Sequence, residues 1–245
     1  MKRNSIKTIQ AVIFDFDDTL VNSDRGRLLA HKEVGKKLRP LLQRVNVDLP
    51  LPRLIHYISD LDHEMDEAGM LNRDRWWPEL FTSLTGEKMH RGEATMLTKA
   101  YWRAWIKESK PYADTTLTLA WLKKNRYKLA LVSDTDGVLG LKRRRIRLSG
   151  LRKYFHVIVV AGEDSKRQKP DRGPFLLASR RLDVPPHECI MVGDSMAKDV
   201  QGAIKAGMRA VLIQRKRRLT IAKPDTIGRL SDLAALLKPG QRETL

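Results

Sequence analysis

Residues 9–21 read IQAVIFDFDDTLV: an apolar run from Ala11 to Phe14 turns abruptly acidic at Asp15, Asp17 and Asp18. That is the profile of a buried strand whose far end meets solvent or a ligand. The same profile recurs in KLALVSD ending at Asp134, FHVIVVAG ending at Gly162, CIMVGD ending at Asp194 and RAVLIQ ending at Gln214. Helix-forming stretches lie between these runs. Thr116, Leu119 and Leu122 fall to one side of the segment before the second strand, and Phe175, Leu176 and Leu182 lie between the third and fourth, where Pro170 can open a helix. Asp199, Val200, Ala203 and Ile204 form a helix after the fourth strand, with Gly207 as its stop. The alternation predicts an α/β fold with a Rossmann-like parallel sheet flanked by helices.

Residues 22–109 break the alternation. Strand signals vanish there, and Leu54, Ile58, Leu61, Met65 and Ala68 repeat as one helix face does, as do Met96, Leu97, Ala100, Tyr101, Ala104 and Trp105. The expectation is an all-helical cap over 22–109, inserted after the first strand of a core built from 1–21 and 110–245. Trp76 and Trp77, bracketed by Arg73, Arg75 and Pro78, could close over a substrate, but packing in the cap core is the favoured reading.

With 245 residues, of which 42% are hydrophobic, the chain can bury a sizeable core, which excludes a disordered protein. A single cysteine, Cys189, beside Ile190, Met191 and Val192, reads as strand packing and excludes a disulfide-stapled scaffold. The apolar stretch from Ala11 to Phe14 is too short for a secretory leader, and no run approaches the roughly 20 residues of a membrane span. The protein is therefore expected in the cytoplasm. A formal charge of +18 favours anionic partners without saying which anion.

In a parallel sheet all strand C-termini share one edge, so Asp15, Asp17, Asp18, Asp194 and Asp199 are expected to converge on one crevice. Ionised carboxylates brought so close repel one another unless a cation sits among them, and hard oxygen ligands with little histidine nearby favour Mg²⁺. Ser133, at the end of the second strand, and Lys169 could hold phosphate oxygens at the same edge.

Four motifs in order, DFDDT at 15–19, Ser133 within LVSD, Lys169 within GEDSKRQKPD and GDSMAKDVQGAIKAGM at 193–208, make the chain resemble the haloacid dehalogenase superfamily. The resemblance spans nearly the whole chain and points to the phosphoglycolate-phosphatase-like branch with a helical cap. It implies that Asp15 attacks phosphorus and becomes an aspartyl phosphate, while Asp17 protonates the leaving alkoxide and then deprotonates the hydrolytic water. It further implies Mg²⁺ held by Asp15, Asp194 and the Asp17 carbonyl, with Lys169 and Ser133 on the phosphate. Thr19 and the backbone of Asp18 would face the phosphate, Asp199 would orient Lys169 or a metal-bound water, and Gly193 would keep the backbone compact. Family members that remove halogen lack an acid in the place of Asp17, so this residue argues for a phosphatase.

The expected substrate is a small phosphorylated metabolite. A mutase using the same aspartyl phosphate, a phosphatase of nucleic-acid ends and a non-catalytic binding protein are the alternatives. Two basic clusters, Lys142, Arg143, Arg144, Arg145 and Arg147, and then Arg215, Lys216, Arg217 and Arg218, read first as solvated helix ends and second as guidance for an anionic substrate. Neither carries the interleaved aromatics of single-strand binding, so nucleic acid is disfavoured as a partner. His56 and His63 are two helical turns apart, too far for paired zinc ligands.

Overall fold

The computed structural model describes residues 9–215 and 225–237. β1 (Ala11–Phe14) and the short β2 (Val21–Asn22) lead into four helices, α1 (Asp24–Gln43), α2 (Leu51–Glu67), α3 (Arg73–Thr85) and α4 (Arg91–Glu108). The chain returns through β3 (Lys110–Pro111), which pairs with β2, and continues as α5 (Thr115–Lys124), β4 (Lys128–Asp134) and α6 (Leu141–Leu148). Next come β5 (Val157–Ala161), α7 (Arg172–Leu182) and β6 (Cys189–Gly193), then a π-helical turn at Met196–Val200 that runs into α8 (Gln201–Lys205). β7 (Arg209–Ile213), β8 (Asp225–Ile227) and α9 (Leu233–Leu237) follow.

Packing divides the chain into two units. The first holds the residues up to Asn22, Pro111–Thr135 and those from Lys142 onward. Its sheet has six strands in the order β5-β4-β1-β6-β7-β8, every pair parallel. Because side chains alternate along a strand, β1 feeds two layers. Val12 and Phe14 pack with Leu119, Leu122 and Leu131 on one face, and Ala11 and Ile13 with Phe175, Ala178 and Ala203 on the other. Burial on both faces explains the uninterrupted apolar run, and a side chain such as Phe14 contributes about 1.5–3 kcal/mol by leaving water. β1 lies in the middle of the sheet, with Phe14 opposite both Leu131 of β4 and Val192 of β6. The ladder runs one residue further, since the Asp15 N–H donates to the Val192 carbonyl at 3.0 Å. The first acidic side chain is thus delivered at the C-terminal edge of the sheet.

In this unit β8 and the inward face of α5 differ from the sequence expectation. β8 is a sixth strand, paired with β7, whose three residues Asp225, Thr226 and Ile227 carry no apolar run. On α5 the inward residue is Thr115, whose hydroxyl donates to the Leu20 carbonyl at 2.8 Å, while Thr116 is exposed.

The second unit comprises Ser23–Lys110 with Asp136–Leu141. Its four helices bury Leu38, Leu54, Ile58, Met65, Trp76, Trp77, Leu97 and Tyr101 in one core. Trp76 and Trp77 are fully buried, as the packing reading expects, and their indole N–H groups donate to the Met70 carbonyl and the Thr98 hydroxyl. α1 approaches α4 so closely at Gly26 that a Cβ there would stand 2.7 Å from the Trp105 carbonyl oxygen. Ala68 and Met96, expected on the apolar faces, are exposed. Among the described residues no helix is long and apolar enough to cross a membrane.

Candidate active site

Carboxylate oxygens of Asp15, at the end of β1, and of Asp194 and Asp199, beyond β6, lie within 4.8 Å of one another. Asp15 and Asp199 are buried and Asp194 is exposed. The π-helical turn brings Asp199 back over the strand end, where its Oδ2 accepts the Ser195 N–H at 3.0 Å. Gly193 makes room for this fold-back, because a Cβ at that position would stand 2.3 Å from the Asp199 carboxyl carbon.

The Lys169 ammonium donates to Asp15 Oδ1 at 2.7 Å and to Asp199 Oδ1 at 2.6 Å. Burial alone would lower its proton affinity, but Asp15 and Asp199 raise it well above the ordinary lysine value, so the buried ammonium stays charged. Its backbone N–H donates to Asp134 Oδ1 at 2.9 Å, which ties the lysine loop to the end of β4. Ser133, one residue earlier in β4, is buried.

Asp194 reaches solvent, yet desolvation by the surrounding protein, then Asp15, Asp199 and Asp18, push its carboxyl up to about 8. Thr19 partly offsets this, its hydroxyl donating to Asp194 Oδ1 at 3.0 Å. Burial pushes Asp199 up to about 6 against the opposing pull of Lys169. The crevice therefore gathers more negative charge than Lys169 balances, and its donors are hard carboxylate oxygens without histidine or cysteine. Such a donor set fits Mg²⁺. Asp18 adopts a left-handed backbone with φ of 54° at the turn, and Leu20 and Val21 both donate to the Phe16 carbonyl, closing the loop beneath it.

Asp17 is placed differently from the cluster. Its carboxylate turns to α6, where Lys142 Nζ donates to Oδ2 at 2.5 Å and the Arg145 guanidinium engages both oxygens. Burial would raise the Asp17 carboxyl, but Arg145 and Lys142 outweigh it and hold the group far below the usual carboxylate range. Both cations are themselves buried, so reading the whole first basic cluster as solvated fails for these two and holds for Arg143, Arg144 and Arg147, which are exposed. The available signal was helical spacing, since Lys142 lies one turn before the buried Ile146.

Of the second cluster, Arg215 is part-buried. It forks onto Asp114 at 2.9 Å and donates to the Thr19 carbonyl at 2.7 Å, bracing the first acidic loop. Lys216, Arg217 and Arg218 lie outside the described residues. His56 and His63 are exposed, each 3.4 Å from an acid one turn on, and join no metal-like group among the described residues.

Comparison with known proteins matches residues 9–207 to a family described as haloacid dehalogenase-like hydrolase. A glyceraldehyde 3-phosphate phosphatase from Methanopyrus kandleri is 31% identical over 208 residues, covering 84% of each chain. A 5-amino-6-(5-phospho-D-ribitylamino)uracil phosphatase from Escherichia coli is 30% identical over 220 residues, again covering 84% of each. Among solved structures, a phosphatase from Thermococcus onnurineus superposes with a TM-score of 0.66 at 30% identity, covering 94% of this chain and 98% of that one.

Proposed function

The chain belongs to the haloacid dehalogenase-like hydrolases, and on that premise we propose that it is a Mg²⁺-dependent phosphatase that hydrolyses a small phosphorylated metabolite through an aspartyl phosphate on Asp15. The observation that carries this reading is the meeting of Asp15, Asp194 and Asp199 around Lys169 at one sheet edge. The order of its motifs supports the phosphoglycolate-phosphatase-like branch, with residues 22–109 as the cap and 1–21 and 110–245 as the catalytic core. The curated relatives are named for small phosphorylated substrates, which supports the same class here.

In this mechanism an Asp15 carboxylate oxygen bonds to phosphorus as the ester P–O bond breaks. Asp17, ionised at rest, takes up a proton from solvent once substrate is bound, gives it to the departing alkoxide, then takes one from the water that attacks the acyl phosphate, freeing phosphate and Asp15. Lys142 and Arg145 keep the resting Asp17 ionised, the form that accepts a proton, and a phosphate dianion arriving beside it raises its proton affinity. Lys169 places its ammonium against the attacking carboxylate and the equatorial phosphoryl oxygens, Ser133 adds a hydrogen bond, and Asp18 and Thr19 shape the loop facing the phosphate. Asp199, which anchors Lys169, keeps that ammonium in place, and Gly193 allows it to do so. Asp15, Asp194 and the Asp17 carbonyl would hold Mg²⁺, which when bound offsets negative charge on the transferring group.

The test is release of inorganic phosphate from a set of small phosphorylated metabolites, with Mg²⁺ and with a chelator. Mg²⁺-dependent release is expected. Transfer to a sugar phosphate without release would favour the mutase. Activity confined to oligonucleotide ends and falling steeply with salt would favour the nucleic-acid reading.

A further inference from the structure

α6 carries five cations in the sequence LKRRRIRL, and they separate by face. Arg143, Arg144 and Arg147 are exposed, whereas Lys142 and Arg145, three residues apart, are each only 4% exposed. Burying two long cations costs desolvation and rotamer entropy, so a helix that needed them only for solubility would turn them outward as it does the other three. Both converge on one carboxylate: Lys142 Nζ on Asp17 Oδ2 at 2.5 Å, Arg145 on the same oxygen at 3.1 Å and on Oδ1 with its second nitrogen. The two cations also lie over the Phe16 ring, at 6.0 and 5.6 Å from its centre, which fixes their approach from one side. A single cation would neutralise Asp17. Two donors, one of them a planar fork engaging both oxygens, set the plane of the carboxylate as well as its position.

We infer that Lys142 and Arg145 are positioning residues that hold the Asp17 carboxylate in a set orientation at the sheet edge for proton exchange with the leaving-group oxygen. This rests on the phosphatase reading above, in which Asp17 serves the leaving group. It extends that reading to α6, whose two buried cations then act through Asp17 and not on phosphorus. The inference has a specific kinetic signature, because only esters with poor leaving groups depend strongly on a well-aimed proton donor.

The experiment compares wild type, Lys142→Met, Arg145→Met and Arg145→Lys, each alone and combined with Asp17→Asn, on 4-nitrophenyl phosphate and on glyceraldehyde 3-phosphate. Arg145→Met is expected to lower kcat/KM, which reports the transfer to Asp15 and not the hydrolysis shared by both esters, roughly 10- to 100-fold on the alkyl ester and less than about threefold on the aryl ester. In the Asp17→Asn background the same change should add less than about twofold, and Arg145→Lys should recover part of the alkyl activity. Equal losses of kcat/KM on both esters, repeated in full in the Asp17→Asn background, would overturn the inference and leave Arg145 a support of the fold. Denaturant unfolding of the same variants gives a second readout: non-additive effects of Asp17→Asn with Arg145→Met or Lys142→Met are expected, and additive ones would overturn the contact itself. If wild type releases phosphate neither from these esters nor from the wider set of phosphorylated metabolites while the unfolding effects are non-additive, the phosphatase reading fails and the placing of the Asp17 carboxylate stands.

Discussion

The ammonium of Lys169 lies 2.7 Å from the Asp15 carboxylate, at the centre of a sheet edge that gathers three acids. The same ammonium reaches Asp199, so one buried cation ties together two acids from separate segments of the chain. Lys169→Met should lower kcat by about 10²–10³-fold, because an ammonium aimed at the reacting oxygens is removed. It should also destabilise the metal-free protein by about 3–5 kcal/mol, the cost of leaving buried charges without their partner. Mg²⁺ should recover part of that stability, since a divalent cation restores positive charge to the crevice. Thermal unfolding with and without Mg²⁺ checks this, and a loss that Mg²⁺ does not reduce would contradict it.

Gly193→Ala tests the fold-back of Asp199. A Cβ would stand 2.3 Å from the Asp199 carboxyl carbon, with the Gly193 backbone locked in β6 between β1 and β7. The acid must move, and with it one of the two carboxylates that hold Lys169. Overpacking of this kind costs about 1–3 kcal/mol, and a displacement near 1 Å at the site should lower kcat roughly 100-fold. Unchanged turnover would show that Asp199 has no part in placing Lys169.

Much of this arrangement was legible in the sequence because strand ends announce themselves. The runs are apolar up to Phe14, Val132 and Val192, just short of the residues that meet the crevice, and a parallel sheet then brings those ends together without further information. Lys142 and Arg145 were hidden for the opposite reason: a basic run looks solvated, and only its phase against Ile146 distinguishes the buried pair. Asp134 reads from the sequence as a strand terminus, but its hydrogen bond from the Lys169 backbone depends on a loop path that spacing does not encode. β8 escaped because two of its three residues are polar and its place follows from pairing with β7.

The helical unit carries its own buried charge. Asp62 Oδ2 lies 2.7 Å from His31 Nε2 and accepts the Tyr101 hydroxyl at 2.7 Å, while Arg73 donates to Oδ1 at 3.0 Å and stacks against Trp76 at 4.2 Å. Burial would raise the Asp62 carboxyl, but His31 and Arg73 outweigh it and hold it below the usual value of 3.8. A carboxyl lowered on folding stabilises the folded state fully above its unfolded value and loses that contribution as pH falls through the folded one. The stability difference between wild type and Asp62→Asn should therefore shrink as pH falls below about 4. Urea unfolding across that range checks it, and a difference independent of pH would contradict the pairing.

The central claim is that Asp15 accepts the phosphoryl group. Acid quench of the Asp17→Asn variant during turnover of 4-nitrophenyl phosphate with Mg²⁺, followed by peptide mass spectrometry, tests this most directly. The account predicts one added phosphoryl group on the peptide carrying Asp15, absent from the Asp15→Asn variant. Phosphate release with the peptide unmodified, or release undiminished in Asp15→Asn, would contradict it.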